Sequence, residues 1–576
     1  MLGAVEFAGV GWLDWLVIFG YLLLIASIGV WAARKVKSAS SFFMSDRKSG
    51  KLLMMFFTFG TGTHSDQAVS VAAESYKSGA SGIWYQWLWL PCTPFYWLIA
   101  PVFRRMRAVT TGDYFYARYG HSVAVLFAIM GILQLMVNIG VMLKGSSAMI
   151  TAVSGGIIDP GVAIWAMTIT FVIYGVAGGL NAAIINDLIQ GLMTLVLSFL
   201  ILPFALAAVG WIDGLRETVN NPAMFEIVAP GKITGFYIFI ICLNALIGWA
   251  TQPHSMSTAA AGKTEMEGRV GVMCGSFFKR TCTIAWAITG LCAVGYYLSR
   301  QGDVSDVDQV YGLMAGELLP KIAPGLVGLF IAGMLASVMS SCDAFMVASS
   351  ALFTENVYKP FIVKNRPDSH YTIVGRITAA IVVLCGIFFA FQLTSVITGL
   401  EIFWKISAMM GMAFWVGLFW RRATVAAVFV STFSSFFVFL LTSEIPFLGY
   451  NPNPWFVEHL PAYMMWDGAI YLPWQMIFYL AVGFVTIVLV SLFTRPTDKE
   501  KLDRLYTCIR TPIKKGEPET EPFTLPPGTE PAPRKVLFDH PDFEIPKPDR
   551  VTIIGFLGGW VGVALMVLVF YAALAL

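Results

Sequence analysis

A short polar stretch interrupts an apolar segment of membrane-spanning length near the start of the chain. Residues 52–59 and 68–73 are mainly apolar, and the run 60–67 between them contains His64 and Asp66. A charged Asp at the centre of a transmembrane helix costs roughly 2.5–3.5 kcal/mol, and irregular backbone is tolerated there only in a cavity or inside protein. The run predicts a broken helix whose carbonyls and polar side chains hold a solute or a cation. The alternative is a helix kinked by its glycines, with Asp66 paired to a neighbour.

The composition places the chain in a lipid bilayer. Of its 576 residues, 57% are hydrophobic and 13% are charged, whereas soluble domains carry about 25% charged residues. We therefore predict an all-α polytopic membrane protein. The net charge of +3 gives no indication of nucleic-acid binding, and no protein partner is evident. The eight cysteines lack metal-site spacing, and no nucleophile–base pair or phosphate-binding loop is visible, so an enzyme is not predicted.

Apolar runs of about 20 residues predict about 14 transmembrane helices. They lie at 12–33, 52–76, 82–103, 122–144, 160–178, 182–209, 234–256, 274–298, 324–353, 372–393, 395–419, 423–442, 474–494 and 551–575. Lysines and arginines concentrate in alternate loops, at 34–51, 103–121, 257–273, 354–371, 420–422 and 495–550. The positive-inside rule makes these loops cytoplasmic. Both termini are then extracytoplasmic, in a protein of the plasma (inner) membrane.

The segment 495–550 is predicted to be a cytoplasmic linker. Its part 512–550 is rich in Pro, Glu and Lys and has few large apolar residues, which is typical of solvated chain. It leads to an accessory last helix in 551–576.

Two further polar clusters lie inside predicted helices. Ser337, Ser340 and Ser341 are spaced i, i+3, i+4 and share one helix face. Their oxygens suit a small hard cation such as Na⁺, although buried Ser hydroxyls commonly bond their own i−4 carbonyls instead. Asp187 is an intramembrane carboxylate and so a functional candidate, unless its place near the cytoplasmic helix end makes it interfacial.

Isolated amides suggest a site for a polar solute. Gln86 lies among the aromatic residues of 84–89, and Asn244 lies in an otherwise apolar helix. Aromatic rings beside an amide suit a sugar or another polyol. The Trp-rich segment is equally typical of an interfacial aromatic belt.

Three sequence motifs follow one another along the chain. They are R-M-R-A-V-T-T-G-D-Y-F with R-Y-G at 105–120, Y-G-V-A-G-G-L-N-A-A with N-D-L-I-Q at 174–190, and A-G-M-L-A-S-V-M-S-S-C-D at 332–343. Together they resemble the sodium:solute symporter family, which includes sodium/glucose and sodium/proline cotransporters. Asn186 stands where that family usually has Thr, and Asn356 replaces an Asp.

The resemblance implies the LeuT-type fold of two inverted five-helix repeats. Residues 52–209 would form the first repeat and 234–442 the second. Three accessory helices lie outside the two repeats. The first is in 1–51, together with a cytoplasmic loop, the second is in 443–494, together with an extracellular loop, and the third is in 551–576.

The resemblance also implies a sodium site and a substrate site. Na⁺ would be the coupling ion, with ligands from Gly60, Thr63, Ser337, Ser340 and Ser341. Asp66 and Asp187 match positions at which carboxylates contribute to ion coupling in some members. The implied substrate-binding residues, together with the adjacent His64, are Gln67, Gln86, Asn244 and Lys279. Lys279, next to Arg280, alternatively marks the cytoplasmic end of its helix, and Ile247 replaces the aromatic inner gate of the sugar transporters.

We therefore predict a sodium-coupled symporter that imports a small polar organic solute by alternating access. A sugar is favoured over an amino acid or a carboxylate. The alternatives are a proton-coupled transporter that uses Asp66 or Asp187, and a non-transporting solute sensor on the same fold.

Overall fold

The computed structural model describes residues 6–7, 9–33, 49–108, 110–229, 231–445, 449–518 and 520–575, with the backbone alone at 6–7, 29–33, 173–185 and 257. It is built almost wholly from helices. These are α1 Trp12–Ala33, α2 Lys51–Gly62, α3 Ser65–Ser78, α4 Trp84–Trp87, α5 Thr93–Arg105, α6 Thr111–Tyr119, α7 His121–Val153, α8 Pro160–Leu200, α9 Leu202–Ala208, α10 Trp211–Val219, α11 Gly235–Trp249, α12 Pro253–Ala260, α13 Glu265–Leu298, α14 Val310–Leu318, α15 Leu326–Phe353, α16 Asp368–Gln392, α17 Val396–Met409, α18 Gly411–Phe419, α19 Val425–Thr442, α20 Asn453–His459, α21 Leu472–Phe493, α22 Lys499–Arg510 and α23 Arg550–Ala575.

Strands are few and short. Glu6–Phe7 pairs with Val10–Gly11, and Met465–Trp466 pairs with Ala469–Ile470, each as a two-stranded antiparallel hairpin. A π-helical turn, Thr354–Ile362, continues α15.

The predicted number of spans is not confirmed. In the part of the chain that the structure describes, nine helices are long and apolar enough to cross a membrane, or ten if α11 and α12, bent by 65°, form one span. The predicted connection at 178–182 does not interrupt the helix, because the backbone is helical throughout α8. Glycine lowers helix propensity by about 1 kcal/mol relative to Ala but does not forbid a helix.

The predicted broken helix is confirmed. α2 ends at Gly62 and α3 begins at Ser65, and the two residues between them have extended backbone, with φ −123° at Thr63 and −135° at His64. α13 packs along both halves. Close approach needs a glycine there, since a Cβ at Gly275 would lie 2.7 Å from the carbonyl oxygen of Met55.

The serine-bearing helix α15 lies at the centre of the bundle. It packs against α1, α7, α8 and α16, and nearly all of its residues are buried. A Cβ at Gly333 would lie 2.9 Å from the carbonyl oxygen of Met193 on α8. The three serines therefore face neighbouring helices and not lipid.

The predicted solvated linker, 512–550, is largely exposed, but it and the helix before it also contact the helix bundle. α22 packs against α5 and α6, and Phe523 is buried. Glu517 forms a two-point ion pair with Arg107, at 2.6 Å and 3.0 Å, with side chains 6% and 1% exposed. Arg421 bonds Asp503 at 2.6 Å and Glu544 at 2.7 Å. The composition missed this docking because it does not show which distant arginines the carboxylates of the segment meet. We call residues 499–546 the C-terminal cap.

The cap should open when its buried ion pair is broken. Glu517→Gln leaves the Arg107 guanidinium without its carboxylate, which costs about 3 kcal/mol for a buried pair. We expect much faster tryptic cleavage at 514–515 in the purified protein. The control is Glu521→Gln, because Glu521 is exposed. Equal cleavage rates for the two variants would contradict a cap held by this pair.

Candidate functional site

The break between α2 and α3 and the serines of α15 meet at one place. Ser341 Oγ donates to the carbonyl oxygen of Gly60 at 3.2 Å and lies 3.3 Å from that of Ser337. Ser340 Oγ donates to a carboxylate oxygen of Asp187. A Cβ at Gly60 would lie 2.7 Å from Ser340 Oγ and 3.2 Å from Asp187 Cγ. One cluster therefore contains four predicted site residues, namely Gly60, Ser340, Ser341 and Asp187. Asp187 is fully buried inside the protein and does not lie at the membrane–water interface.

The cluster carries oxygen atoms with spare bonding capacity. Thr63 Oγ1 and Asp187 Oδ2 are buried and have no hydrogen-bond partner in the described part of the chain. Ser337 directs its own hydroxyl to the carbonyl oxygen of Met334 at 2.9 Å, so only its carbonyl is available. Buried polar atoms are normally satisfied. An all-oxygen set of carbonyls, hydroxyls and one carboxylate fits a hard cation such as Na⁺.

The other carboxylate at the break is already bonded. Asp66 is fully buried, and one of its oxygens bonds His64 Nδ1. The other ring nitrogen of His64 lies 3.0 Å from the Gln67 amide nitrogen. The neighbour that pairs with Asp66 is therefore the histidine two residues before it, and the pair fixes the start of α3.

A cavity lies beside the break. Four predicted substrate-binding residues line it, namely His64, Gln67, Gln86 and Lys279. Residues that the sequence analysis did not select also line it: Asn138, His254, Arg280, Trp89, Tyr96, Trp249, Phe345 and Trp404. Arg280 had a usable sequence signal, because it is a second cation next to Lys279 within an apolar helix.

Lys279 lies inside the helix bundle and not at a helix end. It is near the middle of α13, and its ammonium group donates to the carbonyl oxygen of Gly62, the last residue of α2. Gln67 donates to the same oxygen at 3.2 Å. The alternative that placed Lys279 at the cytoplasmic end of its helix is therefore wrong.

Two predicted residues do not reach the cavity. Asn244 donates to the carbonyl oxygen of Trp404 at 3.0 Å and accepts from the Tyr479 hydroxyl at 2.5 Å, so it ties helices together. The predicted gate Ile247 packs against Gly411 and is absent from the cavity lining. Both residues lie on faces of α11 that contact other helices. The sequence around a single residue in an apolar run does not show which face of the helix that residue occupies.

Known proteins resemble this chain in sequence and in fold. Residues 42–433 match the model of the Sodium:solute symporter family. The Sodium/pantothenate symporter of Escherichia coli (strain K12) is 24% identical over 75% of this chain and 91% of its own length, and the Sodium/glucose cotransporter of Vibrio parahaemolyticus is 22% identical over 76% and 87%. The structure of a Na⁺-coupled sialic acid symporter in a substrate-bound outward-open state superposes with a TM-score of 0.71 at 17% identity, covering 85% of this chain and 99% of that one.

The matched family covers most of the chain, so the protein belongs to the sodium:solute symporter family. It has the LeuT-type fold and is an integral membrane transporter, not an enzyme. Its coupling ion is Na⁺, and it carries a small-molecule solute.

The cluster at the break makes a steric prediction. A methyl group at position 60 would press on Ser340 Oγ and Asp187, so Gly60→Ala should raise the Kd for ²²Na⁺ at least tenfold, or about 1.4 kcal/mol. Gly62→Ala is the matched control, because its Cβ would meet only Lys279 Nζ, at 3.9 Å. Equal sodium affinity in the two variants would remove Gly60 from the site.

Proposed function

We propose that Na⁺ binds between the break and α15 and that its binding is coupled to import of a small organic solute from the adjacent cavity. The ligands would be the carbonyl oxygens of Gly60 and Ser337 and the hydroxyls of Thr63, Ser340 and Ser341. The observation that carries the proposal is the direct contact of Ser341 with Gly60. It joins the last turn of α2, just before the break, to a helix from the other predicted repeat.

Asp187 completes this site. Its hydrogen bond to Ser340 places one carboxylate beside the neutral ligands, and a single negative charge balances a single sodium ion inside the membrane. With sodium bound, the buried carboxylate has a counter-charge. Without sodium, the negative charge of the carboxylate has no counter-charge, and burying an unpaired charge in a medium of low dielectric constant costs free energy. Sodium therefore favours the packed arrangement of α2, α8 and α15.

The break also links sodium to the solute. Thr63 lies one residue before His64 and one after Gly62, and both of these residues line the cavity. Ordering the backbone at Thr63 around the ion would fix the carbonyl oxygen of Gly62 and the side chains that bond it. Sodium and solute then stabilise the same local conformation, which gives positive coupling between their affinities.

We infer that the cavity opens toward the basic loop 257–273. Thr258 and Ser276, near the basic loop 257–273, line it. On the opposite side Lys232 pairs with Glu74 at 3.0 Å, and the Tyr85 hydroxyl donates to Glu401 at 3.1 Å. If the basic loops are cytoplasmic, the conformation faces inward, and both termini are extracytoplasmic. Alternating access requires an outward-facing state in which these two contacts open.

The hydrogen-bonded pair of His64 and Asp66 supports one competing function. A buried imidazole–carboxylate pair is a plausible proton carrier in a transporter. Proton coupling predicts uptake that continues in choline chloride and follows the external pH. Sodium coupling predicts uptake that stops when choline replaces sodium.

Sodium dependence of uptake tests the proposed ligands. In cells expressing the protein, uptake from a panel of labelled sugars, amino acids and carboxylates should require NaCl. Ser340→Ala should raise the half-saturating sodium concentration at least tenfold, because it removes a hydroxyl ligand. Ser350→Ala is the control, since its hydroxyl bonds the carbonyl oxygen of Val347 in the same helix. Unchanged sodium dependence in Ser340→Ala, or uptake in choline, would refute the proposal.

A further inference from the structure

We propose that the transported solute is an organic carboxylate, whose negative charge is held by Lys279 and Arg280 at the wall of the cavity. The inference rests on the proposed function, since it names the class of solute for the same site. It replaces the sugar that the sequence favoured.

The charges that face the cavity are unbalanced. Its lining contains one lysine, one arginine and two histidines, and no aspartate or glutamate among the described residues. Asp66 lies just behind the lining and is bonded by His64. An anionic ligand would balance the positive charge of this lining.

Lys279 has bonding capacity left for such a ligand. Its ammonium group donates to the carbonyl oxygen of Gly62, whereas an ammonium group has three donors. No carboxylate oxygen of a described residue forms an ion pair with it within 4.0 Å. Lys279 is only partly exposed, and it is a lining residue.

Arg280 is a second cation that has hydrogen-bonding capacity left for a ligand. It is 3% exposed, and one terminal nitrogen donates to the backbone carbonyl oxygen of Gln86 at 2.7 Å. Its Nε is buried and has no hydrogen-bond partner among the described residues. Buried cations without a partner are unfavourable, and guanidinium groups bind carboxylates with particularly good geometry.

The amides of the cavity do not distinguish a sugar from a carboxylate. Gln67 and Gln86 each present both a donor and an acceptor group, so they suit a hydroxyl or a carboxylate equally. The two cations do distinguish them, because a neutral sugar would leave both charges uncompensated. The stacked rings of Tyr96 and Trp249, with centroids 4.0 Å apart, provide an apolar wall for the body of the solute.

A purely structural role would explain Lys279 alone. An ammonium group on the last carbonyl oxygens of a helix is a favourable C-terminal cap, and Lys279 occupies that position on α2. This role does not account for Arg280, and it predicts that solute charge has no effect on binding. The two accounts therefore differ in a measurable way.

The test compares solutes that differ at one group, which is an ionised carboxylate in one member of each pair and a neutral group in the other. Melting temperatures of the purified full-length protein in NaCl are measured against glucuronate and glucose, and against phenylacetate and phenylacetamide. We expect each carboxylate to raise the melting temperature and its neutral analogue to have little effect. Lys279→Gln should raise the carboxylate Kd about ten- to hundredfold, the range for a lost hydrogen bond to a charged group, and Lys279→Arg should retain most of the affinity.

Lys405→Gln is the matched control, because Lys405 is a buried lysine that lies over Phe439 and outside the cavity lining. It should leave the carboxylate Kd unchanged. The inference is overturned if a neutral analogue binds as tightly as its carboxylate, if no carboxylate of the set binds, or if Lys279→Gln binds carboxylates as well as Lys405→Gln does.

The same experiment keeps the two proposals separate. The difference in melting temperature between NaCl and KCl, measured without solute, reports on sodium binding alone. A sodium-specific rise with no preference for carboxylates overturns the inference and leaves the sodium site intact. A carboxylate preference that is identical in KCl supports the inference and refutes sodium coupling.

Discussion

The extended backbone at Thr63 and His64 is the constraint on which the rest of the structure depends. Ending a helix inside the membrane leaves carbonyl groups without their usual partners. The chain satisfies them with side chains from other helices. Ser341 reaches Gly60, and Lys279 and Gln67 reach Gly62. The break is thus held open from two sides by α15 and α13.

The break separates a negatively charged site from a positively charged site by only a few residues of backbone. The Gly60 side carries a carboxylate, Asp187, and neutral oxygens, which suit a cation. The Gly62 side carries Lys279 and Arg280, which suit an anion. A sodium ion and a carboxylate solute would therefore bind on opposite sides of one short extended segment. Each would compensate a charge that is otherwise costly inside the membrane, and both would favour the same backbone conformation.

The sequence was most informative where several residues had to act together. A polar run inside an apolar segment predicted the break, and three serines on one helix face predicted the surface that meets it, because both patterns are costly without a partner. Single residues were less informative. Asn244 is an amide in an apolar helix in the same way as Gln86, yet it bonds Trp404 and Tyr479 instead of lining the cavity. The docking of the cap was also invisible, since it depends on which distant arginine meets Glu517.

The most direct test of the sodium site is hydrogen–deuterium exchange of the purified protein in NaCl and in KCl, followed by peptides that cover 58–68 and 334–343. If sodium binds between the break and α15, exchange through the opened site should slow by a factor of about 1 + [Na⁺]/Kd, or about a hundredfold at a hundredfold excess. Protection should be concentrated in these two peptides and weaker in α23, which packs at the outside of the bundle. Identical exchange of both peptides in the two salts would contradict the account.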